Sequence, residues 1–396
     1  MNDDATMDHD TRAVGARLRE IREARGKTLT VIAGLAGISE SYLSLLETGK
    51  RALNRRSRIV ALANALEISP SELFDLGASP LPADPGTESA IDAIRDAMQA
   101  VAMGMPGGQV QPLEHLRVRA ETALAAKQAC RDAEVGAMLP ALIRDLHTSI
   151  DAGRDDAELL RIASLLYPMA VQSWLFTVYA SGDLAWQAAY MGRDAAQRLD
   201  DAVAFGVTTF GLANHLLTTG GFALAGQLLD ATPETGDDQL DGELSLTRSL
   251  LAASDSRPGD VEAPLEMAAE LAQRTGNGNA HYMSFGPANV DLWRMGVALE
   301  AGDHEHAAEL SAAVDLTVLP PKRLVNYHVN RARALSRTRR RDEAVIALRA
   351  AEKISPDSVR RQPDARRLLS ELVTRARDDT LGRELRGMVY RAGLPV

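Results

Sequence analysis

The sequence predicts an all-α protein made of a short N-terminal helical module and a long C-terminal helical array. Apolar residues recur at helical spacing from Val14 onward, and beyond the module no alternation of Val, Ile and Thr indicates a strand. A stretch rich in proline and glycine, residues 77–88, separates the two parts as a semi-rigid linker. We therefore predict domains over residues 11–76 and 89–396.

The spacing of the N-terminal module predicts five short helices. The apolar pattern indicates a first helix from Thr11 to Arg25. Thr28 is placed to cap a second helix, and Gly37 supplies the left-handed residue that a sharp turn requires. Ser39 caps a third helix, which we predict over Glu40–Thr48.

The rest of the module completes a compact helical set. A fourth helix begins at Ser57, and residues 69–74 form a capping box with Pro70 at the first helical position. Two short helices joined by a Gly-containing turn inside such a set are the plan of a helix-turn-helix DNA reader.

Charge and helix geometry favour DNA as the partner of this module. Residues 11–77 hold eleven Lys and Arg side chains against seven Asp and Glu, whereas the whole chain carries a formal charge of −10. A basic module on an acidic protein confines phosphate attraction to one face. In the third helix Leu43 and Leu46 face inward, which leaves Glu40, Ser41 and Ser44 on the part that enters a major groove.

Residues 14–74 resemble the XRE/Cro-type family of phage and bacterial repressors. The matching pieces are Leu18–Arg22, Ala33, Gly37–Ser39, Ser41–Ser44, Glu47, Gly49–Lys50, Leu66 and residues 69–74. The resemblance implies that one set of side chains approaches base edges: Glu40, Ser41, Tyr42 and Ser44. Candidate phosphate contacts are Thr30, Lys50 and Arg51 by resemblance, with the capping residues Thr28 and Ser39 and the clustered Arg55 and Arg56 added to them.

Two residues depart from the family pattern. Leu29 stands where the family usually has a Gln that helps to clamp the DNA backbone, and Glu40 stands where relatives are often basic or neutral. A carboxylate accepts a hydrogen bond from cytosine N4 but repels phosphate. The alternative interpretation is a five-helix module used for contacts with protein.

Beyond the linker a short pattern recurs where one helix turns into the next. Its copies begin at residues 182, 220, 259, 302 and 339, and so lie 38, 39, 43 and 37 residues apart. A turn residue followed by a small residue at this period marks stacked helix pairs. In the last copy Ala344, Leu348, Ala351 and Pro356 resemble the tetratricopeptide (TPR) repeat, which implies a TPR-like α-solenoid; a plain helical bundle is the alternative.

Stacked helix pairs form a superhelix whose concave face is lined by the first helix of each pair. We expect a ligand there, because Asn amides pair with both groups of a peptide backbone and Arg clamps a carboxylate. The candidate ligand-binding residues are Trp174, Tyr179, Asn214, Tyr282, Asn289, Arg294, Asn326, Asn330 and Arg333. The alternative is that these side chains bond to the ends of neighbouring helices.

The order of an XRE-type module and TPR-like repeats resembles the peptide-sensing regulators of the RRNPP group and long regulators of actinobacteria. The resemblance implies a DNA-binding dimer that a short peptide on the concave face shifts. It supplies a mode of action without identifying the effector.

The remaining constellations predict no catalytic or metal site. His304 and His306 have an H-x-H spacing without a third ligand, so a solvated turn is the preferred interpretation. Cys130 is the single cysteine, which rules out a disulfide within the chain and a cysteine-based zinc site. Since no phosphate-loop motif and no Gly-x-Ser-x-Gly sequence occur, we expect neither an enzyme nor a bound cofactor.

These patterns predict a transcriptional regulator that binds a palindromic operator in double-stranded DNA as a homodimer, controlled by a peptide or small-molecule effector. The acidic N-terminus is unlike a signal peptide and no uninterrupted run of about 18 apolar residues occurs, so we expect a cytoplasmic protein without a membrane partner. The alternative from another class is a protein-interaction scaffold whose DNA binding is constitutive and whose regulator is a protein partner.

Overall fold

A computed structural model describes residues 9–51, 53, 55–68, 73 and 85–394. Within these ranges the chain is helical and forms no strand, so the predicted all-α class is confirmed. A π-helical turn, Tyr167–Gln172, joins α8 to α9. The helices are α1 (His9–Ala24), α2 (Leu29–Leu35), α3 (Glu40–Glu47), α4 (Arg56–Leu66), α5 (Pro85–Ala102), α6 (Leu113–Gln128), α7 (Asp132–Asp151), α8 (Asp156–Leu166), α9 (Ser173–Thr177), α10 (Gly182–Gln197), α11 (Ala202–Thr219), α12 (Phe222–Asp230), α13 (Asp238–Ser254), α14 (Glu262–Thr275), α15 (Pro287–Ala301), α16 (His304–Leu310), α17 (Pro321–Arg337), α18 (Arg341–Ile354), α19 (Pro356–Arg360), α20 (Pro363–Val373) and α21 (Thr380–Arg391).

Helices α2 and α3 form the helix-turn-helix. The Thr28 hydroxyl accepts a hydrogen bond from the Val31 N–H at 3.2 Å, which caps α2. Gly37 turns the chain with a φ of +64°, and Ser39 Oγ accepts from the Tyr42 N–H at 3.2 Å to cap α3. Both predicted caps and the turn are confirmed. The chain direction changes by 107° between the two helices, within the range of roughly 90–120° that this motif adopts.

Helix α1 packs closely on α3. A side chain on Gly15 would overlap the carbonyl oxygen of Leu46, so the two helices meet backbone to backbone. Below this contact the fully buried Leu18, Leu43 and Leu62 bring α1, α3 and α4 into one core. The core therefore fixes the direction of α3 within the module.

The boundary between module and array differs from the prediction. Helix α5 begins at Pro85, so residues 85–88, which we predicted as linker, are helical. Proline suits the first turn of a helix because its missing N–H would have no partner there. The rest of the predicted linker, residues 77–84, and the predicted capping box over residues 69–74, apart from Leu73, lie outside the described residues.

The array is built from helical hairpins, with α11 against α12, α13 against α14, α15 against α16 and α17 against α18. Gly220 and Gly302 end α11 and α15 with a φ of +84°, a left-handed value that glycine adopts without strain. In the last of these hairpins Ala344, Leu348 and Ala351 are buried, as the repeat pattern predicts. The predicted helical repeats are therefore present.

One described stretch, Asp156–Thr177, is long and apolar enough by length and composition to cross a membrane. After Arg161 the stretch carries no charge, and the polar residues Ser164, Gln172 and Ser173 are what keep its apolar run from being unbroken. Of its most apolar window, 67% is buried inside the protein, and Tyr167 and Trp174 are enclosed in the largest core cluster. This is the burial of a core helix.

The array closes on itself, because its early and late helices are in contact. The side-chain amides of Gln128, at the end of α6, and Asn279 exchange two hydrogen bonds of 2.8 and 2.9 Å across 151 residues of sequence. At the start of α17, Lys322 Nζ donates to Thr177 Oγ1 at 3.3 Å. Helix α6 and the end of α9 therefore rest against elements that come much later in the chain.

The N-terminal module rests on the array through α1 and α4. Helix α1 contacts α20, and Val60 on α4 joins an apolar cluster formed by α11, α12 and α13. The hydroxyls of Ser57 and Ser256 lie 3.0 Å apart. Glu40 and Ser41 on α3 stay exposed in this arrangement.

Candidate nucleic-acid interface

Helix α3 divides into a buried side and an outward side. Leu43 and Leu46 are 0% and 2% exposed and anchor the helix in the core. Glu40 and Ser41 are exposed and Ser44 is half-buried, so these three side chains face outward at the N-terminal half. A short helix presented this way matches the element that enters a major groove.

Tyr42 lies between two arginines. The guanidinium carbons of Arg51 and Arg58 lie 5.2 and 4.6 Å from the centre of its ring, and Arg58 also donates to its hydroxyl. Such stacking holds a cation over an aromatic face. Tyr42, which we predicted as a base contact, thus holds Arg51, just after α3, and Arg58, on α4, over its ring.

A buried ion pair ties α3 to α1. Arg22 donates from Nε to Glu47 Oε1 at 2.6 Å and from Nη2 to Oε2 at 2.8 Å, while its Nη1 donates to Lys27 O at 3.0 Å. The Glu47 carboxylate raises the pKa of Arg22 above its ordinary value. Both residues were recognised only as parts of a family pattern, because partners 25 residues apart give no local signal.

The candidate phosphate contacts occupy different environments. Thr30, Lys50 and Arg51 are exposed near the ends of α2 and α3. The hydroxyls of Thr28 and Ser39 are used in capping, because they accept hydrogen bonds from the N–H groups of Val31 and Tyr42.

The two remaining phosphate candidates differ from these. Arg55 is half-buried, and its guanidinium lies over Gly302: a Cβ at that glycine would be 2.7 Å from both Nε and Nη2. The side chain of Arg56 lies outside the described residues.

Two of the nine candidate ligand residues are enclosed in the array. Trp174 is 1% exposed and its indole N–H donates to Asp132 O at 2.7 Å. Asn289 is also 1% exposed, and its Nδ2 donates to Glu243 Oε1 at 2.5 Å. Neither side chain is open to a ligand in this arrangement, because core packing surrounds both.

Four further candidates bond to their own or adjacent helices. Asn214 Nδ2 donates to Phe210 O one turn earlier at 2.8 Å, and Arg294 pairs with Asp291 at 3.1 Å. The remaining two are joined to each other. Arg333 donates to Asn330 Oδ1 at 3.4 Å and also pairs with Glu300 on α15 at 3.2 Å.

The last three candidates are at least partly exposed. Tyr179 is 43% exposed, and both Tyr282 and Asn326 are half-buried. Tyr179 and Tyr282 have left-handed backbone conformations, with φ of +58°. The structure therefore does not bring the nine residues to one common level of exposure.

A buried carboxylate that the sequence analysis missed lies inside the array. Glu243 on α13 is 0% exposed; its Oε1 accepts from Asn289 on α15 and, at 3.2 Å, from Arg323 on α17. Burial raises the pKa of Glu243 to about 7 despite the arginine. Its position among leucines in α13 was the available signal. A charge at such a position requires a partner.

Two shallow hollows mark the surface of the described array. One, of about 330 Å³, lies between Asn277–Asn279 and Thr317–Pro320; the other, of about 200 Å³, lies between α6 and α7. Among the described residues, neither lining includes one of the nine candidate ligand residues. The same part of the chain has no group of three or more His, Cys, Asp or Glu placed to hold a metal ion.

Comparisons with known proteins agree with the geometry of the module. Residues 13–76 match the family described as a helix-turn-helix domain. No curated protein matches the chain. One similar solved structure is the crystal structure of Bacillus thuringiensis PlcR in complex with the peptide PapR7 and DNA, with 10% sequence identity and a TM-score of 0.25; the match covers 87% of this chain and 94% of that chain.

The module has the caps, the turn and the interhelical angle of the motif, and its sequence matches the domain family over the same residues. Residues 13–76 therefore form a helix-turn-helix domain, and an array of helical repeats follows this domain in the chain.

Proposed function

We propose that this protein is a sequence-specific transcriptional regulator that inserts α3 into the major groove of an operator. The observation that carries the proposal is the outward face of α3, where Glu40, Ser41 and Ser44 are presented on a helix held rigidly from beneath. A helix of eight residues is about 12 Å long, comparable to the width of the major groove. Serine hydroxyls bond to several base edges, and a carboxylate accepts from cytosine N4.

Phosphate contacts supply the affinity in this proposal. Lys50 and Arg51 lie exposed beside the end of α3, and Tyr42 holds Arg51 in a defined place. The N-termini of α2 and α3, capped by Thr28 and Ser39, add backbone N–H groups that favour an anion. These contacts set the register of α3 without reading sequence.

We further propose that the protein acts as a homodimer on a palindromic operator in the cytoplasm. Two recognition helices must lie about 34 Å apart, one turn of DNA. Because each module rests on its own array through α1 and α4, dimerisation of the arrays sets that distance.

The proposed effector is a peptide or small molecule on the inner face of the array. Support comes from the order of module and repeats and from the partly exposed Tyr179, Tyr282 and Asn326. An effector shifts the dimer only by binding one arrangement of the array more tightly than another. A protein partner is the second candidate, favoured by the shallow form of the two described hollows, which suit a broad contact better than an enclosed ligand.

The test is a random-oligonucleotide selection with the full chain, followed by binding of the selected duplex at several salt concentrations. We expect a defined operator, and we expect Ser41→Ala and Ser44→Ala to relax the preference at individual base pairs. Arg51→Ala should weaken all duplexes alike and reduce the salt slope by about 0.9. A selection that recovers no preferred sequence would refute the proposal.

A further inference from the structure

The segment that begins α4 crosses the ends of three successive first helices of the array. Arg55 covers Gly302, the residue that ends α15. Ser57 Oγ lies 3.0 Å from the hydroxyl of Ser256, two residues beyond the end of α13. Val60 packs on the residue that ends α11, Gly220, so closely that any side chain there would overlap it. Three residues of one short segment thus meet α15, α13 and α11 in order.

The chemistry at the two outer contacts is specific. The Arg55 guanidinium lies at the C-terminal end of α15, where the exposed carbonyl groups favour a cation. Val60 is 7% exposed and shares an apolar cluster with Val207, Leu216 and Phe222. One contact is electrostatic and the other is apolar, so together they fix both the position and the direction of α4 on the array.

Helix α4 is also part of the core that supports α3. Leu62 on α4 and Leu43 on α3 are both fully buried in the core of the module. A rotation of α11, α13 and α15 relative to one another must therefore move α4, and α3 moves with it.

We propose that α4 couples the direction of the recognition helix to the relative rotation of three successive helix pairs, through the contacts of Arg55, Ser57 and Val60, here called the joint. In this proposal Arg55 anchors the joint instead of contacting phosphate. The second part of this proposal rests on the proposed DNA-binding function. The first part does not, because the joint is a contact within one chain.

The joint is tested by crosslinking in the full chain with Cys130→Ser as background. Hydroxyl oxygens 3.0 Å apart place residues 57 and 256 within reach of a disulfide, so Ser57→Cys with Ser256→Cys should crosslink almost completely under mild oxidation. The matched control, Ser41→Cys with Ser256→Cys, puts one thiol on the exposed face of α3 and should stay reduced. Equal crosslinking of the two pairs, or none in either, would overturn the proposal.

A pair of glycine variants tests the anchoring by Arg55. Gly302→Ala and Gly236→Ala both place alanine at a left-handed residue, with φ of +84° and +73°, but only the first meets Arg55; around Gly236 nothing lies within 4 Å. We expect faster amide hydrogen exchange in α4 for Gly302→Ala alone. Unchanged exchange in that variant would contradict the joint, whatever its overall stability.

The role of Arg55 is separated from DNA binding by the salt dependence of affinity for a duplex of random sequence. Arg51→Ala should reduce the slope of log affinity against log salt by about 0.9, and Arg55→Ala should leave it unchanged. An equal reduction in both variants would show that Arg55 contacts phosphate and overturn its assignment. If the unmodified chain bound no duplex, the proposed function would fail while the crosslinking result still decided the joint.

Discussion

The outward face of α3 and the inner face of the array both carry polar side chains, but the two regions use them in opposite ways. On α3, Glu40 and Ser41 are exposed and the support lies beneath them. In the array, Asn289 and Arg333 bond to carboxylates on neighbouring helices. The polar residues that the family resemblance assigns to the groove are therefore exposed, whereas a polar residue inside a repeat array indicates first a bond between helices.

The largest expected effect concerns the buried ion pair between Arg22 and Glu47, and it tests whether this pair fixes the direction of α3. Arg22→Met leaves the Glu47 carboxylate buried without a partner, which should lower the free energy of unfolding by about 3–5 kcal/mol. Chemical denaturation measures the loss. Arg19→Met is the control, because its pair with Glu23 is exposed to solvent and should contribute little to the free energy of unfolding. Equal losses of unfolding free energy in the two variants would show that the buried Arg22–Glu47 pair supports α3 no more than an exposed pair does.

The second prediction concerns a carboxylate that serves only the array. Because the pKa of Glu243 is raised to about 7 in the folded chain, that state binds a proton more tightly than the unfolded chain does. The free energy of unfolding should therefore fall as the pH rises from about 4.5 to 7, by on the order of 3 kcal/mol. Denaturation at several pH values measures the slope, and Glu243→Gln should flatten it.

Glu352 provides the opposite sign as a control. Arg391 and Arg360 lower the pKa of this carboxyl against the cost of its partial burial, so its contribution is present above the unfolded pKa and is lost as the pH falls. Glu352→Gln should therefore reduce stability at neutral pH and leave the loss between pH 4.5 and 7 in place. A flat profile in the unmodified chain would mean that Glu243 is charged and solvated, as expected of a ligand-facing group.

The smallest expected change in stability comes from substituting two glycines of the module, Gly15 and Gly34. Gly15→Ala forces a methyl group onto the Leu46 carbonyl and should cost about 1–3 kcal/mol while weakening DNA binding through a displaced α3. Gly34→Ala, on α2, meets nothing within 4 Å and should stabilise the helix by up to about 1 kcal/mol. Thermal unfolding measures the stability of each variant, and a binding assay measures its affinity for the operator. Normal operator affinity in Gly15→Ala would show that the close approach of α1 does not set the direction of α3.

Local signals explain what the sequence could predict. The caps at Thr28 and Ser39 and the turn at Gly37 depend on neighbours within four residues, so the spacing alone places them. The repeat turns at Gly220 and Gly302 follow from the same short-range rule.

The unpredicted features depend on partners that are distant in sequence. Glu47 meets Arg22 across 25 residues, and Glu243 meets Arg323 across 80. Arg55 belongs by position to a basic cluster, and only the fold places it on Gly302. Helical periodicity assigns a side chain to a face of its own helix, but it does not say which other helix covers that face.

The bonds between Gln128 and Asn279 have a mechanical consequence. An open solenoid frays from its termini, since every unit is supported by adjacent units alone. Here the end of α6 is bonded to Asn279, and Thr177 to Lys322, so units distant in sequence support one another. We therefore expect the array to unfold in a single cooperative transition. Removing the Gln128–Asn279 contact should leave an array that bends more easily and unfolds in separate steps.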